Sequence, residues 1–498
     1  EITMLKTKDE ERFRVVESIL EMDSMEGNER GDSDVGVHEE ITSTSISAIP
    51  RQVPRTVVDL QVSCRWVLPV DARDSCLEWT SVVVDQGTIV AVLPTAQALQ
   101  IYDPREEVSR PESVLLPGFI NAHTHTAMSL LRGLCDDEPL HQWLNNTVWP
   151  IEGEFAHQDG FCYDGSLLSI AEMIRGGTTC FSDMYWYPGE TARAARDSGI
   201  RAALGIGLID FPSRYASTAD DYIARGREVA EEFKLLSTLS FTYAPHSPYT
   251  VSDSSWSTLG ELARGEGRRM HAHVHETQTE CDASLALDKA NPLCHRSDHA
   301  STPLKNLERM GILGDNFVAV HMTALTDEEI EICARHKLHV IHCPTSAMKL
   351  ASGVCRVSDL LDAGVNVALG TDGPASNNSL DMIEEMKTSA ILGKLASRDP
   401  TRLSARTCLR MATINGAKAL DIDQVTGSLE SGKAADLVII EIGTRAGTSP
   451  VFHPESTIVY SSSSGDVSDV WVHGRRLLAH GKLVTIDEPK LLERVRGW

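Results

Sequence analysis

Strand-like apolar runs alternate with amphipathic helical stretches through the middle of this chain for roughly 300 residues, the signature of a (β/α)8 barrel. The helical stretches include residues 165–175, 220–236 and 327–336. On either side the texture changes to short β-type runs broken by polar turns. Before the alternation these runs are residues 57–62, 81–85 and 88–93; after it they are 435–440, 468–472 and 482–486. The expectation is an α/β fold, a TIM-type barrel with a small β-sandwich domain built from both chain ends. Its boundaries fall at 56–113 and 426–498 for the two parts of the sandwich and 114–425 for the barrel. No internal repeat suggests a solenoid.

Residues 1–55 are acidic and Ser/Thr-rich with few aromatics, and read as a disordered, non-catalytic tail in which 10–25 could form a helix. The sequence opens on Glu1 rather than Met, which fits a fragment or a processed form. The whole chain of 498 residues is long enough for a large barrel and a second, smaller unit. Its formal charge of −25 argues against a nucleic-acid or anionic-membrane partner, since both require a basic face. A small-molecule substrate is the expected partner, and a homo-oligomer is compatible with the sequence. The 11 cysteines are scattered and form no Cys-x-x-Cys pair, which reads as reduced thiols in a cytoplasmic compartment. By the same reasoning the sequons at Asn145 and Asn377 are not expected to carry glycans. No apolar run approaches membrane-spanning length.

Four places carry chemistry. Residues 115–126 run Leu-Leu-Pro-Gly-Phe-Ile-Asn-Ala-His-Thr-His-Thr, an apolar strand ending in His123 and His125. On a strand, residues two apart share a face, so both imidazoles can reach one metal ion. Residues 270–277, Met-His-Ala-His-Val-His-Glu-Thr, place His271, His273 and His275 on one strand face just before Glu276. One of the three is a candidate third ligand and Glu276 a candidate proton carrier; the competing reading is a polar strand edge with surface histidines. Residues 316–321 lead an apolar strand into His321, where a barrel keeps its active site; a structural histidine is the alternative. Residues 365–374 deliver Asp372 into a Gly-rich turn, where a carboxylate can ligate a metal and accept a proton from water. An Asx-turn or helix cap would use the same residue type.

Other patterns exclude more than they suggest. His-Glu-x-x-His is absent, as is the His-x-Glu…Pro-Cys-x-x-Cys pattern of the nucleobase-editing deaminases. Gly205-Ile-Gly lacks the third glycine of a nucleotide-binding turn. His342 and Cys343 have no second Cys/His pair to make a zinc finger.

His-x-His, then His, His and Asp, each at a strand end, resembles the amidohydrolase superfamily, in its branch with a single metal. Residues 116–133, Trp149-Pro-Ile-Glu152, Tyr243-Ala-Pro-His246, 370–382, 413–420 and 427–438 are similar to the 5-methylthioadenosine/S-adenosylhomocysteine deaminases. The likeness covers about residues 56 to 485. It implies that His123, His125, His273 and Asp372 hold one divalent ion, zinc or alternatively iron(II). It implies Glu276 as proton shuttle, His321 as hydrogen-bond partner of the attacking hydroxide, Glu152 at the ribose hydroxyls and His246 near the base. His273 is preferred over its neighbours because it stands in the family's His-x-x-Glu relation to Glu276. The family's arginine contacts have no counterpart assigned from the sequence, and Arg214 is left outside the site. Two departures stand out. Ala347 replaces the family's Asn in Ser346-Ala-Met-Lys-Leu, which bears on the polar lining of the mouth. The segment 281–302 after Glu276 is long and could reshape the substrate entrance.

The implied reaction is hydrolytic deamination of an adenine-type nucleoside to its inosine analogue. Asp372 accepts the water's proton, His321 orients the nucleophile, Glu276 protonates a ring nitrogen, and ammonia leaves. A guanine, 8-oxoguanine or s-triazine hydrolase of the same superfamily is the nearest alternative. A barrel relative that has lost catalysis and serves as an interaction protein is the more distant one.

Overall fold

The structure is a computed structural model that describes residues 55–498; the expected acidic tail, Arg55 aside, and its helix at 10–25 lie outside the described residues. The strands are β1 (Thr56–Val67), β2 (Leu77–Asp85), β3 (Thr88–Pro94) and β4 (Tyr102–Pro117), then β5 (Phe119–Thr124), β6 (Thr178–Asp183), β7 (Arg201–Leu208) and β8 (Leu239–Pro245). There follow β9 (Met270–Val274), β10 (Phe317–His321), β11 (His339–His342) and β12 (Asn366–Leu369), and finally β13 (Leu437–Glu441), β14 (Val467–Val472), β15 (Arg475–Ala479) and β16 (Lys482–Leu483). They form two eight-stranded sheets.

The first sheet has the order β16-β15-β14-β13-β4-β1-β2-β3, so strands from both chain ends meet where β4 pairs with β13. Alternation explains its two apolar faces. Val114, Leu116, Val438 and Ile440 pack into the large core shared with the barrel helices. Leu115, Leu437 and Ile439 point the other way, into a core with Val62, Val84 and Trp471. The sheet curls around that second core until β3 meets the residues before β13: Ile89 N–H donates to Lys433 O (2.8 Å) and Ala435 N–H to Gly87 O (2.8 Å). One sheet thus supplies both layers of the small domain. The sequence signals missed β4. Its first two-thirds are largely polar and carry Pro104 and Pro111, residues that argue against an inner strand. Both are tolerated: β13 pairs only with 113–117, and the register against β1 shifts beside Pro111, between Cys64 and Trp66.

In the second sheet β5 to β12 lie side by side in chain order, all parallel. Its ends are joined by Asp372 N–H donating to His123 O (3.1 Å) and by the Asn121 amide bonding Thr371 through Oγ1 (2.8 Å) and N–H (3.0 Å). Ala122, Val318, Val320, Ile341 and Ala368 fill the interior. The helices that the sequence places at 165–175, 220–236 and 327–336 run Phe161–Arg175, Ala219–Glu232 and Asp327–Arg335. The last starts at a capping box in which Thr326 and Glu329 satisfy each other's backbone N–H. The result is the α/β barrel with a separate small β-domain that the strand–helix alternation indicates.

Only Gly118 separates β4 from β5, so the chain passes directly from the small domain into the barrel. A Cβ at Gly118 would stand 2.1 Å from the Thr179 side chain, which explains a glycine at this crossing. The two units are also tied by Arg201 on β7, which donates to both carboxylate oxygens of buried Asp436 (3.0 and 3.2 Å). Among the described residues no helix is long and apolar enough to cross a membrane.

Candidate metal centre and substrate cavity

The C-terminal ends of the barrel strands bring four of the expected side chains to one point. His123 leaves β5 and His125 follows just beyond its end; His273 comes from β9; Asp372 lies three residues past β12. His273 Nε2 is 3.2 Å from His123 Nε2 and 3.3 Å from His125 Nε2. Asp372 Oδ1 is 3.4 Å from His123 Nε2 and 3.2 Å from His125 Nε2. A tetrahedron whose arms are about 2.0–2.1 Å long, as for nitrogen and oxygen on zinc, has edges of about 3.3–3.4 Å. His123 and His125 therefore stand at ligand spacing from both His273 and Asp372. His321, the last residue of β10, adjoins the same point, since one ligand atom each from His123, His273 and His321 lie within 4.8 Å of one another.

The hydrogen bonds behind the donors fix which nitrogen faces inward. His125 Nδ1–H donates to Met184 O (2.5 Å) and His273 Nδ1–H to His246 O (2.8 Å). His123 Nδ1 lies 2.9 Å from Nε2 of His271. With every Nδ1 so engaged, the Nε2 atoms of all three rings face inward, toward a point where a shared cation would sit. Burial disfavours the charged imidazolium, pushing His123 down to about 4 and His321 down to about 3, so both rings are neutral near pH 7.

Asp372 is held on its outer side. Its Oδ2 accepts the hydroxyls of Ser346 (2.6 Å) and Ser376 (2.8 Å), which turns Oδ1 toward the histidines. Burial alone would raise its pKa; the His123 and His125 rings against Oδ1, with His321 nearby, outweigh that and keep it well below the ordinary range. Asp372 and His321 both adopt left-handed backbone conformations, φ +66° and +75°. Such conformations cost on the order of 1–3 kcal/mol each in non-glycine residues and concentrate at functional sites. Gly370 allows the approach of this turn to β5, because a Cβ there would lie 2.9 Å from His123 Cβ and N.

A cavity of about 680 Å³ opens over the donors, lined by His125, His273, His321 and Asp372 below and by Glu152, His246 and Glu276 around them. Glu276 is buried, with its Oε1 3.7 Å from His321 Nε2. Burial, then the charges of Asp372 and Glu280, push it well above the usual carboxylate range, so it keeps a proton where a surface glutamate has lost its own. Glu152 sits in the helix Trp149–Phe155, between β5 and β6. Its Oε2 accepts Trp186 Nε1–H (3.0 Å); its buried Oε1 makes no well-formed hydrogen bond, the Tyr185 hydroxyl beside the carboxyl being unsatisfied as well, and burial raises the carboxyl's pKa. Ser247 Oγ and Thr250 Oγ1 engage Nδ1 of His246 (3.1 and 3.0 Å), leaving Nε2 free, and burial lowers that ring to about 3. Trp149, Trp186, Phe211 and Tyr215 make the outer wall largely aromatic, and Arg214 lines it too.

Three sequence expectations change. His271, His273 and His275 do not share one face: β9 ends at Val274, and His275 turns away through a left-handed conformation (φ +53°). There its Nε2 accepts Leu304 N–H (3.0 Å) and its Nδ1–H donates to Ala324 O (3.0 Å), a structural histidine. Ala347 is buried in the short helix Pro344–Lys349 and does not itself line the cavity. The segment 281–302 does not line it either. It buttresses the wall from behind: Arg296 N–H donates to Pro248 O (2.9 Å) and its guanidinium lies 6.0 Å from the Phe211 ring.

Sequence reasoning missed several supports. Ser346 and Ser376 carry no motif on their own. Asp183 at the end of β6 accepts Thr126 N–H (2.7 Å) and Thr126 Oγ1–H (2.9 Å), fixing the turn after His125. Its signal was visible, an Asp ending the apolar run Thr-Cys-Phe-Ser-Asp.

Residues 114–477 match the amidohydrolase family. The chain is 38% identical over 444 residues to a 5-methylthioadenosine/S-adenosylhomocysteine deaminase of Saccharophagus degradans, covering 89% of this chain and 97% of the relative. It is 40% identical over 415 residues to a 5′-deoxyadenosine deaminase of Methanothermobacter thermautotrophicus, covering 83% and 92%. Among solved structures, it is similar to a zinc-bound adenosine deaminase from Xanthomonas campestris, with 41% identity, a TM-score of 0.85, and coverage of 89% of this chain and 98% of that one.

Proposed function

The chain belongs to the amidohydrolase family, hydrolases whose named relatives here are deaminases, and on that basis we propose that it deaminates an adenine nucleoside with a modified 5′ end. 5-Methylthioadenosine and S-adenosylhomocysteine are the substrates most in keeping with its relatives. One divalent ion, zinc in this reading, is held by His123, His125, His273 and Asp372. Bound there, it would lower the pKa of water from about 15.7 toward roughly 7.

The chain's own residues do the rest. Asp372 takes the proton of the attacking water, and its serine clamp keeps the accepting oxygen aimed inward. His321, neutral and beside the donors, orients the nucleophile toward the ring carbon. Glu276 gives its proton to a ring nitrogen, which makes the carbon electrophilic; the proton held by Asp372 passes to the amino group, the carbon–nitrogen bond breaks to release ammonia, and the proton of the new hydroxyl returns to Glu276 as the carbonyl forms. His246 offers Nε2 to the base.

The observation that carries the substrate class is Glu152, a buried carboxyl whose Oε1 makes no well-formed hydrogen bond, beside the equally unsatisfied Tyr185 hydroxyl in the same cavity as the donors. Two vicinal ribose hydroxyls supply the donors it lacks. A bare guanine or triazine ring would leave it unpaired, at a cost of about 1–3 kcal/mol. A relative that had lost catalysis would have no reason to keep these four donors together.

Glu152→Gln tests this reading. A hydrogen bond to a charged acceptor is worth about 1.5–3 kcal/mol, so kcat/KM for the nucleoside is expected to fall roughly tenfold to a hundredfold. Turnover of free adenine, which never makes the contact, should hardly change. An equal loss on both substrates would remove the ribose role.

A further inference from the structure

We propose that His271, outside the four donors, is the positioning residue that fixes the tautomer and ring orientation of His123 and thereby sets the metal affinity of the centre. The proposal rests on the reading of those donors as a metal site. Ligation through Nε2 requires that His123 keep its proton on Nδ1. Among the described residues, the acceptor at hydrogen-bond distance from that Nδ1 is His271 Nε2, at 2.9 Å. The two rings lie nearly parallel, 24° apart with centroids at 5.1 Å, and both side chains are closed off from solvent.

This arrangement sets His123 apart from the other two histidines. His125 and His273 donate to backbone carbonyls, which any side chain leaves in place. His123 depends on a side chain, so a substitution can remove its acceptor. The alternation of β9 creates the device: His271 and His273 point inward two residues apart, one a strand step deeper than the other. The upper histidine is a donor to the metal, and the lower one supports a donor that arrives from β5. Accepting at Nε2 places the His271 proton on Nδ1, which faces Ser182 Oγ at 3.5 Å. Partners of this sort behind a ligating imidazole are worth roughly 10–100-fold in metal affinity.

The test uses the full-length, zinc-loaded protein and a chelator competition that reads zinc affinity directly, alongside near-ultraviolet circular dichroism. His271→Leu keeps bulk and removes the acceptor; His271→Gln restores an acceptor through its amide oxygen. The Leu variant is expected to bind zinc roughly 10–100-fold more weakly, with the Gln variant recovering most of the loss. Wild-type affinity in both variants, or an equal loss in both, would overturn the proposal, the second outcome marking a packing role. Should the Leu variant fail to fold, imidazole nitrogen NMR on zinc-loaded wild type decides: His271 protonated at Nδ1 and bare at Nε2 supports it, and the reverse tautomer overturns it. Failure of the wild type to take up one zinc would instead overturn the metal-site reading beneath it.

Discussion

Replacing Asp372 with Asn is expected to strip the metal and silence the enzyme together. The substitution conserves shape, so any loss belongs to chemistry. In the wild type, Ser346 and Ser376 donate to Oδ2 while Oδ1 faces the His123 and His125 imidazoles. An amide cannot serve both sides. If its oxygen turns to the serines, its NH2 points at the cation; if it turns inward, two hydroxyls meet two N–H donors. Zinc affinity should fall by more than the roughly 10–100-fold expected for losing a partner behind a ligand. Turnover should fall by at least the ~10²–10⁴-fold attached to a positioned proton acceptor. Metal analysis after dialysis and steady-state kinetics at saturating zinc measure the two separately. Retention of a full equivalent of zinc and of turnover would remove Asp372 from both roles.

Glu276→Gln is expected to separate those roles. Glu276 is not one of the four donors, so the variant should keep its metal. Gln fills the same volume but has no proton to give at the ring nitrogen. The expected result is a fall of about 10²–10⁴ in kcat, with zinc content unchanged and KM close to wild type. The burial that raises its pKa also makes the role possible, because a surface glutamate would arrive at neutral pH already ionised. A variant with wild-type kcat would transfer the proton delivery to another group. Loss of zinc in this variant would mean that Glu276 shapes the metal centre.

Much of the site was legible because its key residues lie at the ends of apolar strands. His123 and His125 are two residues apart in sequence, and alternation alone puts them on one face. Asp372 announces itself by the Gly-Thr-Asp turn after an apolar run, and the structure adds why the glycine is there: β12 crosses β5 too closely for a Cβ. The three histidines before Glu276 show where periodicity runs out. The alternation holds while the strand lasts, and β9 stops one residue before His275. A left-handed residue then sends that ring into the helices. No period-2 count can see where a strand ends.

The supports were not legible for a different reason. His271 meets His123 across 148 positions of sequence, and Ser346 meets Asp372 from a neighbouring crossover. Only the barrel's closure makes these neighbours. β4 was hidden by composition: prolines and charges describe a strand that is unpaired on one side for two-thirds of its length, and only its final apolar residues look like the inner strand it becomes.

The proposed activity of this barrel is removal of ammonia from an adenine ring that carries a ribose. The most direct measurement incubates the zinc-loaded protein with 5-methylthioadenosine, S-adenosylhomocysteine, adenine, guanine and an amino-triazine in parallel. Ammonia and the deaminated product are quantified together. Ammonia and the inosine analogue are expected in equal amounts from at least one 5′-modified adenosine, faster than from free adenine, and abolished by chelation. Ammonia from guanine or the triazine, with none from any adenosine derivative, would contradict this activity.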